Sequence, residues 1–200
     1  MNARLSLAVA ALILPAVAVA QTGAPIHLRG NVVAATSTSL TLRTDGGTEG
    51  TIALPPGYRL IGVKAAKLSD VKIGGFVGVG SVPNSSGGQN AVEVTIFPPA
   101  MAGTGEGSYP WAMAPQGTMT NATVRSTVKT VSADHLTLVY KGGQRTIDVL
   151  PRTPIVAISP ATTADLKPGV AVSIRGTQDA SGTVIAKFVI VGLGGTVPPV

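Results

Sequence analysis

Hydrophobic and polar residues alternate along most of the chain in short segments that turns separate. Residues 136–141, Leu-Thr-Leu-Val-Tyr-Lys, place leucine and tyrosine at every second position, which is the period of a strand with one buried face. Gly142 and Gly143 follow, and glycine accepts the positive φ that tight hairpins require. Because residues 145–150 read as the return strand, the pattern predicts a β-hairpin.

The same pattern occurs twice in the chain. Three matched strings carry the repeat, namely Asp-x-Lys-x-Gly at 70–74 and 165–169, Thr-Ile at 51–52 and 146–147, and Leu-Thr-Leu at 40–42 and 136–138. The first two strings recur after 95 positions (165 − 70) and the third after 96, and the shift of 96 also brings Arg29 onto Arg125. We infer that the chain is a tandem duplication.

Each copy carries the signals of five strands and one short helical turn. In the second copy the strands are expected at 123–131, 136–141, 145–150, 170–176 and 184–191. Ser159-Pro160 can start a helical turn and Pro168-Gly169 can end it. Three strands, a helical turn and two strands is the order of an OB-fold. A pair of small β-sandwiches fits the same strand count.

We therefore predict an all-β chain of two tandem five-stranded OB-like barrels, each with one short helical turn, joined by an ordered connector. The predicted parts are a signal peptide at 1–20, one OB-like repeat at 26–97, the connector at 98–123, a second OB-like repeat at 124–192, and a tail at 193–200.

Two strings of the second copy carry a resemblance to a known family. They are Asp-Leu-Lys-Pro-Gly at 165–169 and Ser-Gly-Thr-Val-Ile-Ala at 181–186, and residues 70–74 form a weaker partner of the first. With the Leu-Thr-Leu strand and the Gly-Gly turn, they resemble an exported bacterial family of tandem OB-like β-barrel repeats whose function is not established. The resemblance covers both copies; it implies the architecture and says almost nothing about chemistry.

The first twenty residues have the features of a cleavable leader. Arg4 supplies a positive charge, residues 5–14 are apolar, and Pro15 interrupts the apolar run. Residues 18–20, Ala-Val-Ala, form a small-x-small cleavage site that leaves Gln21 at the new N-terminus. The alternative is a retained membrane anchor, which needs about 18 or more apolar residues without a break. We predict a periplasmic or secreted protein with no membrane span after cleavage.

Composition removes several classes of function. The chain has no cysteine, which excludes disulfides, thiolate metal sites and a lipoprotein anchor. Only 12% of the residues are charged and 44% are hydrophobic, so the chain is too apolar to be disordered.

The basic net charge makes nucleic acid a partner to consider. The pI is about 10.0, and OB-folds that bind single strands need a basic groove with stacking aromatics. Aromatic residues make up only 4% of the chain. Phe76 aligns with Ala171, and Phe188 aligns with Glu93, so the copies share no aromatic platform. We expect no nucleic-acid partner.

The sequence offers no metal or catalytic constellation. His27 and His135 do not fall at equivalent positions, which argues against a repeated metal site. Asp134 precedes His135, so on a strand their side chains point to opposite faces, and no Gly-x-Ser-x-Gly elbow is present. Copper binding by the thioethers of Met101, Met113 and Met119 is conceivable, but packing is the commoner role. We predict no catalytic residue, no metal site and no cofactor.

The connector differs in composition from both copies. It contains the only tryptophan, Trp111, which argues for an ordered segment docked on a barrel rather than a disordered tether. The candidate binding residues are Glu106, which lies among glycines where backbone can approach a ligand, and Tyr109 and Trp111, whose rings offer large rigid contact area.

These observations favour an exported, non-catalytic binding or envelope-interaction module. The partner would be an unknown envelope protein or a small ligand. Two alternatives remain: a soluble accessory of metal handling, and a hydrolase of unknown substrate.

Overall fold

The described part of the chain is built of strands. A computed structural model describes residues 23–129 and 134–199, and these form an all-β structure. Within these residues the helical elements are single 3₁₀ turns of three residues each, at Leu68–Asp70, Pro99–Met101, Thr163–Asp165 and Leu193–Gly195. The all-β prediction is confirmed. The predicted signal peptide at 1–20 lies outside the described residues.

Each copy of the repeat contributes six strands. Those of the first copy are β1 (Ala24–Ala35), β2 (Ser39–Thr44), β3 (Glu49–Ala53), β4 (Arg59–Ala65), β5 (Phe76–Pro83) and β6 (Gln89–Ile96). The connector holds β7 (Gly107–Pro110). Those of the second copy are β8 (Thr118–Lys129), β9 (Asp134–Tyr140), β10 (Gly143–Val149), β11 (Ile155–Ser159), β12 (Ala171–Gln178) and β13 (Val184–Gly192).

Strands β4 and β11 are additional to the five predicted for each copy. Residues 155–159 are an apolar run between two prolines. The sequence predicts a helical turn that begins at the end of this run, at Ser159-Pro160. The strand forms because a partner strand from the other copy pairs with it. The helical turn starts later than predicted, after Thr162, whose N–H donates to the Asp165 carboxylate at 2.8 Å. Ser159 therefore ends a strand rather than capping the turn.

Five strands close a barrel, which we call the first unit. In order, β13, β12, β1, β2 and β3 pair antiparallel, and β3 returns to β13 through Ile52 and Ala53. Its core combines Leu40 and Leu42 with Ile174 and other aliphatic side chains of the closing strands. Each fully buried aliphatic side chain of this kind contributes about 1.5–3 kcal/mol.

The remaining long strands pair in the same order, and we call them the second unit. β6, β5, β8, β9 and β10 are antiparallel neighbours, and Asp148 of β10 pairs with Asn90 of β6. A separate core fills this unit, with Val79 and the fully buried Leu136 and Leu138 at its centre.

Each unit takes strands from both copies. The first unit has the opening three strands of the first copy and the closing two of the second, and the second unit has the reverse. The expectation that residues 26–97 and 124–192 each close their own barrel is therefore wrong. The closing hairpins of the two copies carry the same alternating pattern, so either hairpin can complete either set of opening strands.

The strands β4 and β11 join the units. They pair antiparallel with Val63 opposite Ile158, two residues that are 95 positions apart (158 − 63). Leu60 of β4 lies opposite Val189 of β13, and the corresponding pair joins β11 to β6. Because these pairings are equivalent under the repeat, an approximate twofold axis passes beside Val63 and Ile158.

The opening strands show a different offset from the one predicted. Val32 and Val124 each face the equivalent leucine of the next strand, which gives an offset of 92 (124 − 32) instead of 96. The match of Arg29 with Arg125 is therefore wrong, because the buried positions set the register. The opening strand of the second copy begins at Thr118, inside the range predicted for the connector.

Candidate functional site

A groove lies across the strands that join the two units. It encloses about 250 Å³, and its lining includes Ile61, Val63, Ile158 and Ile190. Leu60, the neighbour of Ile61, packs into the core of the first unit. Side chains alternate between the faces of a strand, so the groove lies on the face opposite the cores. The approximate twofold axis runs through its floor.

One end of the groove is basic. Arg175 of β12 lies opposite Phe188 of β13, and Phe188 lies opposite Arg59 of β4. The Arg59 guanidinium stands 5.7 Å from the centroid of the Phe188 ring, within reach of a cation–π attraction. Among the described residues, no carboxylate lies within ion-pair distance of either arginine.

The other end carries a carboxylate. Glu93 of β6 lines the groove and is only 5% exposed. It lies opposite Gly80 of β5. A Cβ at Gly80 would come within 2.7 Å of the Trp111 ring and 3.1 Å of the Glu93 Cγ. The missing side chain at this position is therefore what lets Trp111 pack against the strand.

The two ends occupy equivalent positions of the repeat. A shift of 95 carries Glu93 onto Phe188 and Gly80 onto Arg175. The floor is nearly symmetric, since Val63 and Ile158 are both aliphatic. The copies thus supply one apolar floor with two chemically different ends.

The connector forms a wall of the groove, and Tyr109 belongs to it. Met101 and Thr104 line the same wall. The Asn121 side-chain amide donates to the Tyr109 hydroxyl at 2.9 Å and to the Gly105 carbonyl at 3.1 Å. Strand β7 also pairs with β8. These contacts attach the connector to β8.

Trp111 lies beside the groove, at a second depression. It is 8% exposed, and its ring packs against Gly80 of β5. Its backbone N–H donates to the Gly117 carbonyl at 2.8 Å. The depression encloses about 400 Å³, and His27, Met113 and Arg175 also line it. Arg175 therefore borders both hollows.

Glu106 is separated from the other two candidates. It is exposed, and its carboxylate accepts a hydrogen bond from the Lys141 backbone N–H at 3.0 Å. It does not line the groove or the depression beside Trp111. Its contact attaches the connector to the turn between β9 and β10.

His135 has an acidic partner that the sequence analysis missed. Its Nδ1 lies 2.7 Å from the Asp148 carboxylate, across the hairpin. Asp148 also accepts a hydrogen bond from the Asn84 amide at 3.2 Å. Asp148 also pairs with Asn90 of β6. The contact of His135 with Asp148 therefore lies where β10 meets β6.

His27 lies against Ser173 of β12, beside two arginines. Its Nε2 lies 2.8 Å from the Ser173 hydroxyl. Burial lowers the pKa of His27 from the usual 6.5, and the positive charges of Arg175 and Arg29 lower that pKa further.

No metal site is evident in residues 23–129 and 134–199, where no three His, Asp or Glu side chains cluster closely enough to hold an ion. Met101 and Met119 line the groove, whereas Met113 lies at the second depression. The three methionines considered as copper ligands therefore share no cavity. Within the same residues, no helix has the length and apolarity needed to cross a bilayer.

No protein-family model, curated protein or solved structure matches the chain.

The sequence pattern did not predict the residues that make the two ends of the groove different. They are Arg59, Arg175, Phe188 and Glu93. The alignment of Phe188 with Glu93 was the available signal, and it indicated only that the copies share no aromatic platform. The alignment points to a shared site only when the pairing of β6, β11, β4 and β13 is known, because that pairing brings Glu93 and Phe188 to one groove.

Proposed function

We propose that the chain is an exported, non-catalytic binding module and that the groove is its ligand site. The observation that carries the proposal is the combination of an aliphatic floor with two arginines at one end. Small-molecule sites are typically concave, mostly apolar and furnished with a few placed polar groups. Tyr109 contributes to this site directly, Trp111 supports it from the side, and Glu106 attaches the connector that forms its wall.

The proposed architecture is a pair of OB-like barrels that exchange their closing hairpins. The equivalent pairings around Val63 and Ile158 support it, as do the two separate cores. In this arrangement the ligand site exists only because both copies are present in one chain.

Export rests on the leader at residues 1–20. We expect the mature protein to begin at Gln21 and to be found in the periplasm or the medium. N-terminal sequencing after cell fractionation tests this. Full-length protein that stays in the cytoplasm would contradict export, and it would leave the groove proposal unaffected.

Two-dimensional NMR with a library of small acids, amines and neutral compounds tests the groove. We expect hits to shift the amide signals of groove residues on β4, β6, β11 and β13. Thr95 lines the groove on β6, and Thr95→Phe should fill the groove and abolish these shifts. Thr146→Phe, an exposed position on β10, is the matched control. If no compound shifts the groove signals, the proposed function is wrong.

The two alternatives have direct tests of their own. Stabilisation of the protein by copper, zinc or nickel in a thermal-shift assay would favour a role in metal handling. Turnover of an ester, peptide or glycoside that His135→Ala abolishes would favour the hydrolase. We expect neither result.

A further inference from the structure

We propose that the groove takes a small anion attached to an apolar body, such as a medium-chain carboxylate or an alkyl phosphate, with the acid held between Arg59 and Arg175. This inference rests on the proposed function, because it names the ligand class of the same groove.

The two arginines are placed to share one anion. Phe188 of β13 lies between them, with Arg175 on the strand at one side and Arg59 on the strand at the other. Neighbouring strands lie about 4.8 Å apart, so the Cα atoms of the two arginines are about 10 Å apart. Arginine side chains of that separation can converge on one carboxylate or phosphate, and a guanidinium can bind either group with two parallel hydrogen bonds.

The guanidiniums at this end differ from the paired arginines elsewhere in the first unit. Arg43 binds Glu49 at 2.6 Å, and Arg29 lies 3.9 Å from Asp45. Arg59 instead stands over the Phe188 ring. Stacking restrains the side chain without neutralising its charge, so Arg59 keeps its capacity to bind an anion.

The remaining lining specifies the rest of the ligand. Beyond the arginines the floor is aliphatic, with Ile61, Ile158 and Ile190, and it favours an apolar chain because burial removes that chain from water. The two arginines lie at one end of the groove, and the aliphatic floor extends from them towards Glu93. An acid held by the arginines therefore places its apolar chain along that floor.

The test compares four probes with the same eight-carbon chain by calorimetry and NMR at low salt: octanoate, octyl phosphate, octanol and octyltrimethylammonium. We expect both anions to bind at the groove, octanol to bind about tenfold more weakly, and the cation to bind weakest. Inorganic phosphate alone should bind more weakly than octyl phosphate, because it lacks the apolar chain.

Substitutions assign the charge effect to the two arginines. Arg59→Gln and Arg175→Gln should each weaken octanoate about fivefold and leave octanol unchanged. Arg145→Gln on β10, which does not line the groove, is the matched control and should change neither.

The outcomes separate this inference from the proposed function. If octanol binds the groove as tightly as octanoate, or if the arginine variants bind octanoate normally, the ligand class is wrong while the groove remains a binding site. If inorganic phosphate matches octyl phosphate, the apolar body has no role and the inference is also wrong. If neither these probes nor the wider library shifts the groove signals, both proposals are wrong.

Discussion

The two five-stranded units have the same strand order and similar cores, and they differ in the side chains around the groove. Their cores are built alike: Leu40 and Leu42 in the first unit correspond to Leu136 and Leu138 in the second, and all four are essentially unexposed. Around the groove, however, the equivalent positions carry different side chains. His27, Arg175 and Phe188 of the first unit correspond, in that order, to Met119, Gly80 and Glu93 of the second.

The difference teaches which positions the fold constrains. A core position must fill a fixed apolar volume, so the duplicated leucines are interchangeable. At the equivalent positions outside the cores the side chains differ in kind: Phe188 corresponds to Glu93, and Arg175 corresponds to Gly80. The groove is thus the place where equivalent positions of the two units present different side chains to one space.

The largest expected effect comes from cutting the chain between its copies. We expect a protease site inserted after Met113, which is 37% exposed, to yield two fragments that stay associated, because each unit contains strands of both fragments. Size-exclusion chromatography of the cut protein should give one peak at the mass of the intact chain, and denaturant should separate the fragments. Fragments that separate in native buffer and keep their β-structure would show that each copy folds alone.

An intermediate effect is expected at Gly80 and its equivalent Arg175, where the side chains of the two units differ. Gly80→Ala should lower the free energy of unfolding by about 1–3 kcal/mol, because the new Cβ overlaps the Trp111 ring. The emission of the single tryptophan should move to longer wavelength. Arg175→Ala, at the equivalent exposed position, should change the free energy of unfolding by less than about 0.5 kcal/mol. Urea unfolding measures both, and equal effects would remove the distinction between the two ends.

The smallest expected effect is a pH dependence that arises from His27 of the first unit. The folded-state pKa of His27 lies below the unfolded value of 6.5, so below that value the unfolded state binds more protons. Stability is therefore present above pH 6.5 and is lost as the pH falls from 6.5 through the folded-state pKa.

Urea unfolding of the protein and of His27→Gln between pH ~7.5 and ~5 isolates this contribution. We expect a flatter profile for the variant. Asp165 and Asp179 stay ionised in this range, because hydrogen bonds from Thr162 and from Ser181 and Thr183 hold their pKa below the usual 3.8. Identical profiles would contradict the lowered pKa of His27 in the folded protein.

Local patterns predicted the strands well. The Leu-Thr-Leu alternation and the Gly-Gly turn specify a hairpin within a few residues, and the structure pairs β9 with β10 there. The repeated Asp-x-Lys-x-Gly strings lie at the helical turns, where Asp70 and Asp165 both accept backbone N–H bonds at 2.8 Å.

The exchange of hairpins could not be predicted from those patterns. The closing hairpin of either copy presents the same alternation to the opening strands, so pairing within a copy and between copies satisfies the same local rules. The choice is made by long-range contacts, above all those of β4 with β11. Since the groove is produced by that choice, Arg59 and Glu93 gave no sign that they share a site.

Engineered disulfides test the exchanged pairing most directly, because the chain has no cysteine of its own. Ala24 of β1 lies opposite Gln178 of β12, and partners in an antiparallel pair have Cα atoms about 4.5–5.5 Å apart, within the span of a disulfide. If each copy closed its own barrel, Ala24 would instead face Pro83, the equivalent of Gln178 in the first copy. We predict that Ala24→Cys with Gln178→Cys forms an intramolecular disulfide on mild oxidation, while Ala24→Cys with Pro83→Cys does not. The reverse result would contradict the exchange and the groove that depends on it.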